Sequence, residues 1–438
     1  MNKIKIGIIG SGIAGIAAAN ELLKDTNFEI TLFDARSTLG GRINSFIDPV
    51  TKETIDNGKH LMVGAYHHFF NLLKDLQSYN NLNFQDYLNV NFFTKNGSNF
   101  KLSSGKKGKL SLLVSLFKIK NFSFTEKINF INFVLKINSL KDNTQKKDNA
   151  LEILNKNKQS QKLIKHFWEP LILATMNISP MEASAKVFLE VLSQAFFSDI
   201  KNQRLVFSKI PLINLLSTFS EQKKSNLHFR FSNYIKSISP LENEKWCIEN
   251  TNGEQLNFDK VILAVPVKQC LKILSNLAKN DDLEKIIDFC SKVALSPILS
   301  VYLWTKEDFL QKDFAAMIGT KFHWIFREKN NPTRFALTMS NSEEFTKLSK
   351  QEILEILKND LKLLFPDFHT EDIIHYQVII EKQATIKITP AIEELRPQNK
   401  LMYGLYLAGD WTATGLPATM ESAAKSGQNA ARLLIEET

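Results

Sequence analysis

The sequence predicts an α/β protein in which one nucleotide-binding domain, assembled from three separated segments, is interleaved with a second, α+β domain. Three observations carry this. A strand–turn–helix–strand unit opens the chain, a strand–turn–helix unit closes it, and strand character returns between them after a long Lys- and Phe-rich stretch. That order assigns residues 1–65, 205–290 and 396–438 to the nucleotide domain and residues 66–204 and 291–395 to the second.

The elements follow in order. Lys3-Ile4-Lys5-Ile6 alternates and Gly7-Ile8-Ile9 is apolar, as a buried parallel strand requires. Gly10-Ser11-Gly12-Ile13-Ala14-Gly15 turns into an Ala- and Leu-rich helix over residues 16–24, and a second strand, Phe28–Phe33, ends at Asp34. No proline occurs between Pro49 and Pro170, and Phe69, Phe70, Leu72, Leu73 and Leu76 have helical spacing, so this stretch reads as mostly helical. In 228–265, Trp246-Cys247-Ile248 and Val261-Ile262-Leu263-Ala264-Val265 flank a hairpin turn at Asn252-Gly253. Residues 298–304 alternate like an antiparallel strand. The chain closes with a strand at 405–408, a Gly/Pro-rich turn and a helix over 418–435.

Composition narrows the function. At 438 residues and 44% hydrophobic content the chain buries a sizeable core, which excludes a disordered protein. Three cysteines without Cys-x-x-Cys spacing and eight scattered histidines suggest neither a disulfide framework nor a metal site. No apolar run approaches the ~20 residues of a membrane-spanning helix, and the strand pattern from Ile4 leaves no room for a cleaved leader, so a reducing cytoplasm is expected. The net charge of +9 is concentrated: residues 101–162 hold 14 Lys, no Arg and four acids, so the other 376 residues sum to −1.

Gly10-x-Gly12-x-x-Gly15 sits between a strand and a helix, where the dinucleotide fingerprint belongs. The glycines permit the turn, a close approach of backbone to pyrophosphate, and helix-on-strand packing. Asp34, 19 residues on, stands where a carboxylate takes ribose hydroxyls. The Rossmann-like unit continues into Arg36-x-x-x-Gly40-Gly41-Arg42, which uses two of only eight arginines in a chain that prefers Lys. NAD enzymes do not need that second motif, whereas FAD proteins of the amine oxidase (GR2) type do, the planar Arg fork meeting pyrophosphate. Near the C-terminus, Gly409-Asp410 ends a strand. The helix starting near Ala418, followed by Thr419 and Met420, then aims its N–H groups at the cofactor.

Four further stretches make the likeness specific: Asp56-Asn57-Gly58-Lys59-His60 through Gly64-Ala65-Tyr66; Phe167-Trp168-Glu169-Pro170-Leu171 through Met176-Asn177; Glu182-Ala183-Ser184-Ala185-Lys186-Val187-Phe188; and 408–419. With them the chain resembles the FAD-dependent amine oxidase and phytoene desaturase superfamily, and within it the hydroxysqualene dehydroxylase family, over residues 4–432. The resemblance implies FAD as cofactor, with contacts at Gly10, Ser11, Gly12, Ala14, Gly15, Asp34, Ala35, Arg36, Gly40, Gly41, Arg42, Ile235, Gly409, Asp410, Ala418, Thr419 and Met420. Three positions depart from it: Lys59 where Gln is frequent, Gln383 where Arg is usual, and Ser422 where Gly is common.

It also implies a reaction. Hydroxysqualene, a C30 allylic alcohol, would lose its hydroxyl to give squalene for hopanoid and triterpene synthesis, with hydride from reduced flavin and oxygen leaving as water. Something must protonate the leaving oxygen. Asp56 and His60 are the candidate catalytic residues; the plain alternative is that Asp56 caps a turn and His60 packs between domains. Glu169 either orients substrate or caps a helix, and Glu381 and Thr385 sit on an expected pocket strand. A carotenoid-type desaturase or an amine oxidase is the competing reading. A lipid carrier of the same fold is the non-enzyme one. A C30 hydrocarbon resides in membrane, so the basic segment 101–162 is expected to place the protein peripherally on the inner face of an anionic membrane. Nucleic acid is not expected as a partner, because the patch is nearly Arg-free and no nucleic-acid motif occurs.

Overall fold

The computed structural model describes residues 3–438 apart from Asn96, Lys107, Lys223 and Lys279; the side chains of Lys109, Leu110 and Leu113 also lie outside the described set. The architecture is α/β, as the sequence predicts. A six-stranded sheet is built on β1 (Ile4–Ile9) and β2 (Phe28–Phe33), with α1 (Ile13–Leu22) between them. Its order is Leu227–Arg230, β2, β1, Lys260–Leu263, Leu405–Leu407, Lys400–Met402, and all pairs but the last are parallel. Its strands thus come from the beginning, the middle and the end of the chain. The interior of β1 is fully apolar because both faces are covered. On one face α1 packs against the C-terminal helix (Met420–Glu436), where a Cβ on Gly427 would stand 2.1 Å from the Ala14 carbonyl oxygen.

A second, seven-stranded sheet runs Ile373–Ile386, Leu295–Thr305, Asn331–Ser340, Trp324–Glu328, Phe314–Ile318, Asn89–Thr94, Phe100–Ser103. It is antiparallel except where Phe314–Ile318 meets Asn89–Thr94. The strand expected over 298–304 lies within it.

Three expectations need correction. The stretch between Pro49 and Pro170 mixes helices with strands that the sequence reading did not give. It contains α2 (His67–Asp75), carrying the buried Phe69, Phe70, Leu72 and Leu73, and then the strands Leu82–Phe84, Asn89–Thr94 and Phe100–Ser103. Val90, Phe92 and Thr94 alternate inward, a period of two masked by the abundance of Phe and Asn around it. Helices resume at α3 (Lys109–Lys118) and α4 (Phe124–Asn143), the latter opened by a capping box between Ser123 and Glu126. Second, the turn at Asn252-Gly253 joins Trp246–Asn250 to Gln255–Phe258, not to Val261. The apolar run 261–263 is buried throughout and pairs instead with β1, Gly7 opposite Val261. Third, the two cofactor-side helices start at Ile13 and Met420, three residues before and two after the sequence reading.

Candidate active site

One cavity of about 750 Å³ joins the two sheets. Its nucleotide side is built by the turns that leave the parallel strands. Gly10 has φ +108°, and a Cβ there would lie 2.3 Å from the Ala264 carbonyl oxygen; a Cβ on Gly15 would lie 1.8 Å from the Gly10 carbonyl oxygen. Both positions therefore exclude any side chain. Gly12 is different: the nearest atom its Cβ would meet is Gly41 Cα at 3.9 Å, so the backbone is left bare on the cavity wall.

Asp34 closes this loop. Its carboxylate accepts from the Ser11 amide (2.9 Å), the Ser11 hydroxyl (2.5 Å) and the Arg36 amide (2.9 Å), fixing it at the end of β2. The Arg36 guanidinium donates to the Gly41 carbonyl. Arg42 donates to the Ala384 carbonyl at 2.7 Å and to Asp410 at 2.6 Å, tying the glycine pair to the C-terminal segment. Gly10, Gly12, Ala14, Asp34, Ala35, Arg36, Gly40, Gly41, Arg42, Ile235, Gly409, Asp410, Ala418, Thr419 and Met420 all lie on the cavity wall. Ser11 and Gly15 stand behind it, one bracing Asp34 and the other packing helix on strand.

These residues fit a dinucleotide. The N-termini of α1 and of the C-terminal helix open on the cavity, offering unpaired N–H groups and the positive ends of two helix dipoles. The side-chain oxygens of Asn57 and Asn233, both on the wall, are buried and have no hydrogen-bond partner among the described residues. Buried polar atoms are nearly always paired, so two orphans on one cavity mark where a polar ligand belongs.

The residues 88–197 supply an apolar wall, including Leu88, Val90, Phe92, Leu102, Leu116 and Phe130. Two π-helical turns, Ile164–Trp168 and Leu192–Phe196, add Phe167 and Phe196. Such turns widen a helix locally and recur at functional sites. Phe130 packs on Phe167 and Trp168 with ring centres 5.0 and 4.9 Å apart, which stiffens this end.

The two catalytic candidates part company. Asp56 is not on the wall. Its carboxylate accepts from the Ser45 hydroxyl (2.6 Å) and the Leu212 amide (2.9 Å), fastening a short hairpin to the loop before residues 214–221. His60 is on the wall, with Nδ1 2.7 Å from the Gly58 carbonyl oxygen. A carbonyl only accepts, so Nδ1 carries the proton and Nε2 presents a lone pair. Burial holds the imidazole below its usual value, despite the Gly58 carbonyl and the Asp56 charge, so the ring is neutral at pH 7. Neighbouring Lys59, also on the wall, pairs with Glu328 at 2.6 Å. Glu381, Gln383 and Thr385 line the cavity, whereas Glu169 opens the helix Glu169–Met176 and is not among the wall residues.

Sequence reasoning missed Arg396. Fully buried, it donates to the carbonyls of Asp410 (2.9 Å), Leu416 (2.8 Å) and Trp411 (3.4 Å) and pairs with Glu393 at 3.0 Å. It holds the loop that carries Asp410. Its signal was present: an arginine retained in a chain with only eight.

The profile of flavin containing amine oxidoreductases matches residues 13–435. The chain belongs to that family. It is an FAD-dependent oxidoreductase. Among curated relatives, a protein of Sinorhizobium fredii named hydroxysqualene dehydroxylase is 24% identical over 99% of both chains. The 15-cis-phytoene desaturase of Arabidopsis thaliana is 22% identical over 99% of this chain and 80% of its own length. An engineered putrescine oxidase has a similar structure, with a TM-score of 0.78 at 12% identity over 100% of this chain and 99% of that one, a likeness of fold alone.

Proposed function

We propose that the protein reductively dehydroxylates hydroxysqualene to squalene: the allylic C–O bond breaks, two electrons and one proton form the new C–H bond, and a second proton turns the departing hydroxide into water. The observation that carries this reading is the apolar wall of residues 88–197, continuous with the nucleotide site in one cavity. End-to-end similarity to proteins named hydroxysqualene dehydroxylase supports it. Bound FAD, once reduced, would supply the two electrons. The chain's own part is to hold a long hydrocarbon away from water and to meet the one polar group that substrate has. His60 Nε2 accepts the hydrogen bond of the substrate hydroxyl and orients the C–O bond. When His60 is protonated, the same nitrogen hands a proton to the leaving oxygen. Lys59, held by Glu328, keeps a second proton-bearing group on that wall.

The test is product analysis. Purified holoenzyme with a chemical reductant, given hydroxysqualene in detergent, yields squalene by gas chromatography. Recovery of untouched alcohol, with dehydrogenated products from squalene or phytoene, overturns the reading in favour of a desaturase.

A further inference from the structure

Helices α3 and α4 have two apolar faces. Leu112 and Leu116 of α3 and Phe130 of α4 face inward and line the cavity. On the outside, Val114 is 48% exposed, Phe117 40%, Phe124 71% and Ile128 37%. The rings of Phe117 and Phe124 are 6.2 Å apart, so these side chains form a patch across the α3–α4 junction. At the junction the Lys127 ammonium donates to the Phe117 carbonyl at 2.9 Å, capping the end of α3. Beside the patch lies a shallow cleft that shares Val114 and is lined by Lys101, Lys118 and Lys120 with four serines. Elsewhere in the segment, Lys141, Lys146 and Lys156 sit in ion pairs. Lys101, Lys118 and Lys120 are in none among the described residues, and all three are exposed. No helix among the described residues is long and apolar enough to cross a membrane.

We propose that this α3–α4 face docks on an anionic lipid bilayer, with the patch in the acyl boundary and the three lysines at headgroup level, so that the walls of the cavity and the docking surface are opposite sides of the same two helices. A solvated helix pair would turn charge outward where this one turns Phe117 and Phe124. A nucleic-acid face would not carry exposed aliphatic Val114 and Ile128. Exposed aromatics ringed by lysine suit the interface of a negatively charged leaflet. The proposal rests on the proposed lipid substrate for its purpose; the surface itself rests on exposure and charge.

The experiment is vesicle flotation of the FAD-bound protein with phosphatidylglycerol/phosphatidylcholine and with pure phosphatidylcholine vesicles, at low and high salt. The wild type floats with the anionic vesicles. The F117S/F124S variant binds about tenfold more weakly at every salt concentration, because apolar burial is not screened. The K118E/K120E variant binds about tenfold more weakly at low salt and approaches the wild type at high salt. Neither variant changes turnover of detergent-dispersed hydroxysqualene. Absence of wild-type flotation, or flotation indifferent to both variants, overturns the proposal. So does a dimer that F117S/F124S dissociates without any vesicle binding, which would give the patch to a second copy. Flotation needs no turnover: binding without squalene formation would sink the proposed reaction and leave the docking face standing.

Discussion

Arg42 and Asp410 lie 368 residues apart in sequence and meet at 2.6 Å on the cavity wall. The pair joins the glycine turn after β2 to the strand end before the C-terminal helix, so the first and last segments of the nucleotide fold are locked at the site itself. Asp410 is buried while Arg42 is partly open to the cavity, so loss of the arginine strands a buried carboxylate. R42Q should therefore lose about 1–3 kcal/mol, and should release FAD on gel filtration. R42K keeps a charge but not the two-pronged hold on Asp410 and the Ala384 carbonyl, and should fall between. Flavin-to-protein absorbance ratios and urea midpoints check both; an R42Q protein that keeps its flavin contradicts this assignment.

Arg396 acts on the same loop from behind. Its fork serves three carbonyls and one carboxylate in a fully buried setting that a lysine cannot match. R396K should lose about 3 kcal/mol or more, close to what removing one partner of a buried network costs. The urea midpoint should drop with it, and FAD affinity should fall even though Arg396 is not on the cavity wall. Unchanged stability would show that the loop is held otherwise.

If the proposed reaction holds, His60 makes activity fall as pH rises. Burial lowers its pKa, so at pH 7 nearly all of it is neutral. If its protonated form feeds the leaving oxygen, kcat rises as pH falls below 7 and levels off only beneath the lowered value. H60Q keeps an acceptor, loses the titration, and gives a flat profile with lower kcat. A wild-type profile flat from pH 5 to 7.5 would pass the role to Lys59.

Glu421 couples the cofactor-side helix to α2, accepting the amides of His68 and Phe69 at 2.9 Å each. Burial outweighs those donors and pushes its carboxyl up to about 7. Between the ordinary value of 4.5 and about 7 the folded protein keeps a proton that the unfolded chain has released, so this group's contribution to stability falls as pH rises through that window. E421Q has no such titration. Its stability relative to wild type should therefore improve from pH 5 to pH 8, by an amount on the order of 2–3 kcal/mol. Denaturation at the two pH values checks the sign; a constant difference contradicts it.

That most of the glycine-turn residues share one cavity wall was legible because their geometry is local. Gly10 to Gly15, Asp34 and the Arg36–Arg42 stretch form within forty residues, and a turn that excludes Cβ atoms has few sequence solutions. Asp410 was legible from its Gly-Asp strand end, although nothing in the sequence paired it with Arg42. The Asn89–Thr94 strand was hidden because Phe at both inward and outward positions erases the alternation. The partner of Trp246–Asn250 was misjudged because Gln255–Phe258 is polar on its open face, and the more apolar run beyond it belongs to another sheet. Asp56 and His60 could not be told apart from sequence: both follow the same turn, and only the fold directs one to Ser45 and Leu212 and the other to the cavity.

The most direct measurement of the central claim is a single anaerobic turnover. The holoenzyme is reduced chemically to one equivalent, freed of excess reductant, and mixed with hydroxysqualene in detergent while the oxidised flavin band is followed. The band should return with one squalene formed per flavin, and neither squalene nor phytoene should bleach the oxidised enzyme. A flavin that stays reduced with hydroxysqualene, and an oxidised flavin that squalene or phytoene bleaches, would contradict the claim.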